Sequence, residues 1–151
     1  MLLLFNLFVF IKPNSVFAEK INSFAVDIVA NKNGDMKITE RIDYDFENLD
    51  RHGIYRYIPL YSRVGDLYRI IEVGNVDIQR DGEKESFETS KNKEQIYFKI
   101  GDGDKTITGV HVYTISYSVE NGIGSNYASH DEIYWNATGN DWQVVIEKAS
   151  I

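Results

Sequence analysis

The sequence contains no cysteine, which excludes disulfide bonds, thiolate metal sites and cysteine nucleophiles. Basic residues are in the minority, since 16 Lys and Arg stand against 23 Asp and Glu and give a formal net charge of −7. We find no local basic patch that would offset this charge. The net charge therefore has the wrong sign for binding nucleic acid or anionic lipid, and we predict no nucleic-acid partner.

The sequence contains few prolines and no segment with the composition of a linker, which favours one compact domain. The 151 residues include only 2 prolines, and 43% of all residues are apolar. This apolar fraction is too high and too evenly distributed for intrinsic disorder. Because no internal repeat or low-complexity linker divides the chain, we predict a single domain after an N-terminal leader.

Long apolar runs are absent except at the N-terminus. Residues 1–11 are almost continuously apolar, and Val16 and Ala18 precede Glu19 at the spacing that signal peptidase prefers. The run is too short to span a membrane. We predict a signal peptide at residues 1–18 and an extracytoplasmic domain at residues 19–151. The alternative is that the first residues form a buried helix or strand.

From Ile21 onward, apolar residues recur at every second position, which is the period of a β-strand. Asn33 and Gly34 suit the tight turn of a hairpin, and the segment that follows has one apolar and one polar face. The apolar face carries Met36, Ile38, Ile42, Tyr44 and Phe46.

The rest of the chain repeats this pattern, and no segment beyond the leader has the period of an amphipathic helix. The longest expected strand, residues 107–119, changes its apolar phase, which predicts a bulge or burial of both faces. We predict an all-β fold of about eight to ten strands, an antiparallel β-sandwich of immunoglobulin-like or jelly-roll-like type, with a barrel as the alternative. The other expected strands lie near residues 54–61, 67–73, 76–80, 86–88, 95–100, 132–136 and 142–148.

One charged residue falls on an apolar strand face. Glu40 lies between Ile38 and Ile42, and a lone buried carboxylate needs a partner or a raised pKa. The nearest candidate along the chain is Arg56, so we predict that Glu40 and Arg56 pair across adjacent strands. The alternative is that Glu40 reaches water at the strand end.

Aromatic residues supply the candidate binding surface. Tyr55, Tyr57 and Tyr61 alternate on one predicted strand face, where outward tyrosines would form a platform for glycan rings or a protein partner. Inward tyrosines would belong to the core, and we favour the inward orientation because a sandwich needs bulky inner residues. Trp135 and Trp142 are predicted to pack in or at the rim of the core.

Catalysis has few candidate groups in this sequence. His130, Asp131 and Glu132 lie in or next to a polar segment that we expect to be a loop, and they are the residues a hydrolase would use. His111 lies within a strand and is expected to be a hydrogen-bonded structural residue. No paired carboxylates or activated nucleophile can be identified, so we predict no enzyme activity.

Metal binding has equally weak support. Asp102 and Asp104 are two residues apart, but further oxygen ligands at the offsets of a calcium loop are missing. We expect a turn at this position and predict neither a metal nor a cofactor.

Five sequence blocks carry a resemblance to a known family. They are residues 34–46 (GDMKITERIDYDF), 52–59 (HGIYRYIP), 100–104 (IGDGD), 109–117 (GVHVYTISY) and 131–142 (DEIYWNATGNDW). Together they resemble the DUF2207 family of predicted membrane proteins over nearly all of residues 20–151. The resemblance implies an N-terminal extracytoplasmic β-sandwich that transmembrane helices and a cytoplasmic tail follow in full-length members. It implies no particular activity.

These observations lead to one main expectation and two alternatives. We expect a non-catalytic extracytoplasmic binding or interaction domain, the N-terminal part of a longer protein that is anchored in the membrane by helices beyond Ile151. The partner would be a protein or a cell-envelope glycan, with Tyr55, Tyr57, Tyr61, His130 and Asp131 as candidate binding residues. The first alternative is a cell-surface hydrolase or carbohydrate-active domain that uses Asp131 or Glu132 with His130. The second is a rigid spacer or sensor.

Overall fold

The computed structural model describes residues 18–64, 67–124 and 130–151, without the side chains of residues 62–67. Within these residues the protein has no helix, so the all-β prediction is confirmed. The same residues form fourteen strands rather than the predicted eight to ten, because several of the strands are only two residues long. None of them forms a helix with the length and apolar character needed to cross a bilayer. Most of the predicted signal peptide, residues 1–17, lies outside the described residues.

The fourteen strands of the described residues are numbered in chain order. In order they are β1 (Lys20–Ala30), β2 (Met36–Asp45), β3 (Ile54–Pro59), β4 (Tyr61–Val64), β5 (Leu67–Ile70), β6 (Glu72–Arg80), β7 (Glu83–Lys84), β8 (Phe87–Lys91), β9 (Gln95–Ile100), β10 (Val110–Glu120), β11 (Ile123–Gly124), β12 (Glu132–Ile133), β13 (Val145–Ile146) and β14 (Ala149–Ser150).

The larger sheet has the order β13-β1-β2-β10-β6-β7, and β14 also pairs with β1. Its long strands are antiparallel, whereas β13 and β14 run parallel to β1. The β1–β2 hairpin turns at residues 31–35, where Gly34 adopts a φ of 91°. Such a φ is easily reached by glycine, as the Asn-Gly motif predicts.

A second sheet of three strands, the smaller sheet of the sandwich, has the order β3-β9-β8, and all its pairs are antiparallel. Two further antiparallel pairs, β4 with β5 and β11 with β12, form separate two-stranded sheets. Two glycines allow a close approach where β3 begins and β9 ends. A Cβ on Gly53 would lie 1.9 Å from the carbonyl oxygen of Ile100, and a Cβ on Gly101 would lie 1.9 Å from that of His52. Any side chain at either position would push the two strands apart.

One apolar core lies between the two sheets. The larger sheet contributes Phe24, Ile38, Ile42, Tyr113, Ile115 and Tyr117, and the smaller sheet contributes Ile54, Ile58, Ile96, Phe98 and Ile100, all of them buried. Trp135 and Trp142 are partly buried and pack against this core, as the sequence predicts. Burial of one face of each sheet is the arrangement expected of a sandwich.

The strands expected at residues 67–73 and 107–119 differ from those in the structure. The strand expected at residues 67–73 is divided into β5 and the start of β6, because Ile71 leaves the ladder and its N–H donates to the carbonyl of Leu60. The irregularity expected in β10 lies instead in its partner β6, where the register shifts opposite residues 116–118 and Asn75 has a φ of 50°.

The last expected strands are much shorter than predicted. Residues 132–136 and 142–148 contribute only β12 and β13, two residues each. Between them, the Asn136 side chain accepts a hydrogen bond from the N–H of Gly139 and donates one to Asn140. These local bonds compete with pairing in a sheet, so the chain between β12 and β13 is a loop.

Candidate functional site

A buried ion pair joins the two sheets. Glu40 of β2 has no exposed surface and Arg56 of β3 is 2% exposed. The Nε and Nη2 atoms of Arg56 each donate to a Glu40 carboxylate oxygen at 2.7 Å. The hydroxyl of Tyr117, on β10, donates to Glu40 Oε1 at 2.6 Å. The carboxylate therefore accepts three hydrogen bonds in the core, which offsets its loss of water.

The remaining donors of Arg56 face backbone and an aromatic ring. Its Nη1 atom donates to the carbonyl of Tyr57, and its Nη2 atom donates to the carbonyl of Ala137 at 3.3 Å. The guanidinium carbon lies 5.6 Å from the ring centroid of Phe24. A Cβ on Gly139 would lie 2.6 Å from Nη1, so the loop after β12 packs closely over this cation.

Burial and pairing shift the pKa values of this cluster. Burial acts to lower the pKa of Arg56, but the charge and hydrogen bonds of Glu40 outweigh it and hold that pKa above its usual value. Burial first, and then the Glu40 charge, raises the pKa of Tyr117 well above its usual value. The guanidinium stays charged and the phenol stays neutral, so the cluster is structural in character.

The structure contains the Glu40–Arg56 pair, but the predicted position of the pair between adjacent strands is wrong. Glu40 belongs to the larger sheet, where β2 pairs with β1 and β10, whereas Arg56 belongs to the smaller sheet, where β3 pairs with β9. The ion pair crosses the core between the sheets.

The favoured inward orientation of the tyrosines is also wrong. Tyr55 is 48% exposed, and Tyr57 lies half-buried on the same outer face of β3. Strand alternation explains this orientation, because Arg56 must face the core to reach Glu40 and its neighbours in sequence then face outward. Tyr61 is 44% exposed but lies on β4, beyond the end of β3, so it does not share a strand with the other two.

A third tyrosine, which the sequence analysis missed, completes an aromatic surface with two of the predicted ones. Tyr97 of β9 stands directly opposite Tyr57 in the register, and their ring centroids are 5.3 Å apart. Tyr55 stacks beside Tyr57 at 6.2 Å with an interplanar angle of 21°. We call Tyr55, Tyr57 and Tyr97 the tyrosine platform. The alternation of residues 95–100 was the available signal, since Ile96 and Phe98 point inward.

An open cleft of about 530 Å³ lies beside the platform. Tyr55 and Tyr57 form one wall, and Asp141, Trp142 and Gln143 form another. The lining of the cleft also includes Arg51 and Glu19, which form an ion pair. Burial raises the pKa of Tyr57, and the neighbouring tyrosines and Asp141 raise it further, so its hydroxyl remains a hydrogen-bond donor. We call this cavity the platform cleft.

The residues of the hydrolase alternative lie elsewhere. His130, Asp131 and Glu132 have exposed side chains near the start of β12, and none of them lines the platform cleft. Residues 125–129 of the polar segment before them lie outside the described part of the chain. His111 does not join them, because its Nδ1 atom lies 2.6 Å from Asp81 Oδ2 and its Nε2 atom lies 3.2 Å from the carbonyl of Thr108.

The acidic turn after β9 is held by its own side chains. Asp102 accepts a hydrogen bond from the N–H of Asp104 at 3.0 Å and pairs with Lys105 at 2.9 Å. This is the turn that the sequence predicts. Across residues 18–64, 67–124 and 130–151, no three His, Asp or Glu side chains converge in the way that a metal site requires.

Comparison with known proteins gives one informative match. A family model described as "Predicted membrane protein (DUF2207) N-terminal domain" matches residues 20–151. No curated protein matches the chain. Among solved structures, the chain is similar to yeast LTA4 hydrolase in complex with bestatin, with 8% identity and a TM-score of 0.43. That similarity covers 66% of this chain and 14% of the other, and it carries no functional argument.

Proposed function

The chain belongs to the DUF2207 family of predicted membrane proteins, and from this premise we propose that its N-terminal domain is an extracytoplasmic, non-catalytic module that binds neutral cell-envelope glycans. The observation that carries the proposal is the tyrosine platform, with three aromatic rings side by side on the outer face of a sheet. The proposed binding residues are Tyr55, Tyr57 and Tyr97, together with the polar groups of the platform cleft.

The platform has the chemistry that sugar rings require. Tyrosine offers a large, rigid contact area at low entropic cost, and its hydroxyl remains available for hydrogen bonds. The rings of Tyr55 and Tyr57 stack at an interplanar angle of 21°, and Tyr57 also contacts Tyr97, so the three rings form one continuous aromatic surface. A pyranose ring can lie against such a surface with its C–H groups on the aromatic faces.

The cleft supplies the polar groups that would fix the orientation of a sugar. Asp141 and Gln143 have exposed side chains at its edge. A carboxylate accepts hydrogen bonds from hydroxyl groups, and an amide both accepts and donates them. Apolar walls with a few convergent polar groups are typical of small-ligand sites.

The charge of the chain narrows the class of glycan. A formal net charge of −7 repels polyanionic polymers such as uronic-acid or phosphate-rich glycans. Asp141 adds a negative charge at the binding surface itself. Neutral glycans are therefore the proposed ligands, and acidic glycans serve as the comparison.

Titration calorimetry tests the proposal with two neutral probes, cellohexaose and chitohexaose, and one acidic probe, oligogalacturonate. We expect saturable binding of at least one neutral probe and weaker or no binding of the acidic probe. Tyr55→Ala and Tyr97→Ala should each weaken binding by about three- to tenfold, the loss expected for one aromatic contact. Tyr68→Ala is the matched control, because Tyr68 is 66% exposed but lies on β5.

Three outcomes would contradict the proposal. The first is failure of both neutral probes to bind, and the second is equal binding by the platform variants and the parent chain. The third is release of new reducing ends from a bound probe, which would favour the hydrolase alternative instead.

A further inference from the structure

A second cavity lies at the other end of β3 and is separate from the platform cleft. It has a volume of about 280 Å³ and is lined by the last residues of β3, by Arg69 of β5 and by residues 134–136. Ile58 and Ile71 are buried and form its apolar wall, whereas Tyr61 and Tyr134 are exposed, 44% and 65% respectively, and form its rim. None of the residues that line this second cavity belongs to the tyrosine platform or lines the platform cleft.

The charge of this cavity comes from Arg69. Arg56 also contributes to the wall, but its charge is neutralised by the bidentate pair with Glu40. Among the described residues, Arg69 has no hydrogen-bond acceptor and no carboxylate partner. Its guanidinium is therefore a half-buried cation that faces an apolar wall without a counter-charge.

The guanidinium of Arg69 is held in place by contact with the backbone. A Cβ added to Gly124 would lie 2.1 Å from Arg69 Nη2, so the side chain packs directly against the glycine of β11. This contact restricts the rotamers of Arg69. A cation that is already fixed loses less entropy on binding an anion than a freely mobile one.

We propose that this cavity binds the carboxylate of an amino acid or peptide C-terminus that carries an apolar side chain, with Arg69 as the carboxylate-binding residue. A guanidinium donates two parallel N–H bonds to a carboxylate, and these bonds strengthen where the surroundings exclude water. The wall of Ile58 and Ile71 takes the apolar side chain. The volume suits one residue rather than a folded partner.

A nuclear magnetic resonance titration tests the proposal with four probes. N-acetyl-phenylalanine and N-acetyl-phenylalaninamide differ only in the carboxylate. A hexapeptide that ends in phenylalanine, with a free or an amidated C-terminus, distinguishes a peptide from a free amino acid. The two tryptophans report separately, because Trp135 lines this cavity and Trp142 lines the platform cleft.

We expect the acid probes to shift the Trp135 indole signal with millimolar affinity and to leave the Trp142 indole signal in place. The free acids should bind at least tenfold more tightly than the amides. Arg69→Met should remove that preference, whereas Arg41→Met, on the exposed outer face of β2, should preserve it. A folded Arg69→Met variant is recognised by an otherwise unchanged spectrum.

Equal affinity for the acid and its amide would overturn the proposal, as would acid binding that survives Arg69→Met. Shifts confined to Trp142 would place the ligand in the platform cleft and also overturn it. Stronger binding of the peptide than of the free amino acid identifies a chain terminus as the ligand, and the reverse identifies a free amino acid. Glycan binding at the platform is measured separately and is independent of either result.

Discussion

Glu40 and Arg56 form a bidentate ion pair that connects the two sheets, with both N···O distances at 2.7 Å. Both residues lie almost entirely out of water. Attraction between two such charges is largely cancelled by their loss of hydration, so the pair contributes little net stability as a unit. Loss of one partner alone is strongly destabilising, because the other charge is then buried without a counter-charge.

Glu40→Ala should lower the free energy of unfolding by about 3–5 kcal/mol, the usual cost of an unpaired buried charge. Urea denaturation followed by tryptophan fluorescence measures it. The double variant Glu40→Met with Arg56→Met is the matched control, because it removes both charges and keeps apolar volume. It should lose less stability than Glu40→Ala alone. A Glu40→Ala variant as stable as the parent would show that the pair is unimportant.

Tyr117→Phe should lower the free energy of unfolding by about 1.5–3 kcal/mol, because it removes a hydrogen bond to the charged Glu40. Tyr113→Phe is its matched control on the same strand. The hydroxyl of Tyr113 is buried and has no hydrogen-bond partner in the part of the chain that the structure describes, so its removal should leave stability unchanged or increase it. Thermal denaturation of the two variants gives the comparison, and the reverse order of stabilities would refute this account of the core.

Gly139→Ala should destabilise the protein more than Gly82→Ala. Both glycines have positive φ, 77° and 85°, so both substitutions carry a backbone cost of about 1–2 kcal/mol. Only the Gly139 substitution also forces a Cβ to within 2.6 Å of the Arg56 guanidinium, since Gly82 has open space at the same position. If urea denaturation gives the same loss of unfolding free energy for both variants, the loop over Arg56 accommodates the added methyl group without an energetic penalty, which would contradict the prediction.

The pH dependence of stability should include a contribution from Asp81. Burial acts to raise the pKa of Asp81, but hydrogen bonds from the Val112 N–H and from His111 outweigh it and lower that pKa below its usual value. A lowered pKa in the folded state adds stability above the unfolded pKa of about 3.9, and this stability is lost as the pH falls through the folded value.

Asp81→Asn should therefore cost stability at pH 6 and progressively less below pH 4. Free energies of unfolding measured from pH 2 to pH 7 test this. Asp27→Asn, on the exposed outer part of β1, is the matched control substitution. A cost of Asp81→Asn that is constant with pH would contradict the prediction.

The two-residue period predicts the strands and which side chains share a face. The surroundings of Glu40 show that this period does not predict which strands belong to the same sheet. A carboxylate between Ile38 and Ile42 indicates a buried partner, and Arg56 is the partner in the structure. The period says nothing about sheet membership, because β2 and β3 are consecutive in the chain yet belong to different sheets. That assignment depends on long-range pairing, which one sequence does not encode locally.

The platform shows a second limit of the same kind. Tyr55 and Tyr57 share a face under either orientation, and the choice of face depended on whether Arg56 points inward. If Arg56 points inward to pair with Glu40, strand alternation places both Tyr55 and Tyr57 on the outer face of β3. The alternation of residues 95–100 predicts that Tyr97 faces outward, but its position opposite Tyr57 follows only from the β3–β9 register. A binding surface built across two strands is thus a tertiary feature.

The short parallel strands β13 and β14 have a consequence for solubility. They lie along the outer side of β1, an 11-residue strand whose other side pairs with β2. Without them, β1 would expose a long row of unpaired amide groups, which is the template on which chains stack edge to edge. Residues 145–150 therefore cover part of this edge, and their removal would expose it to pairing with another chain.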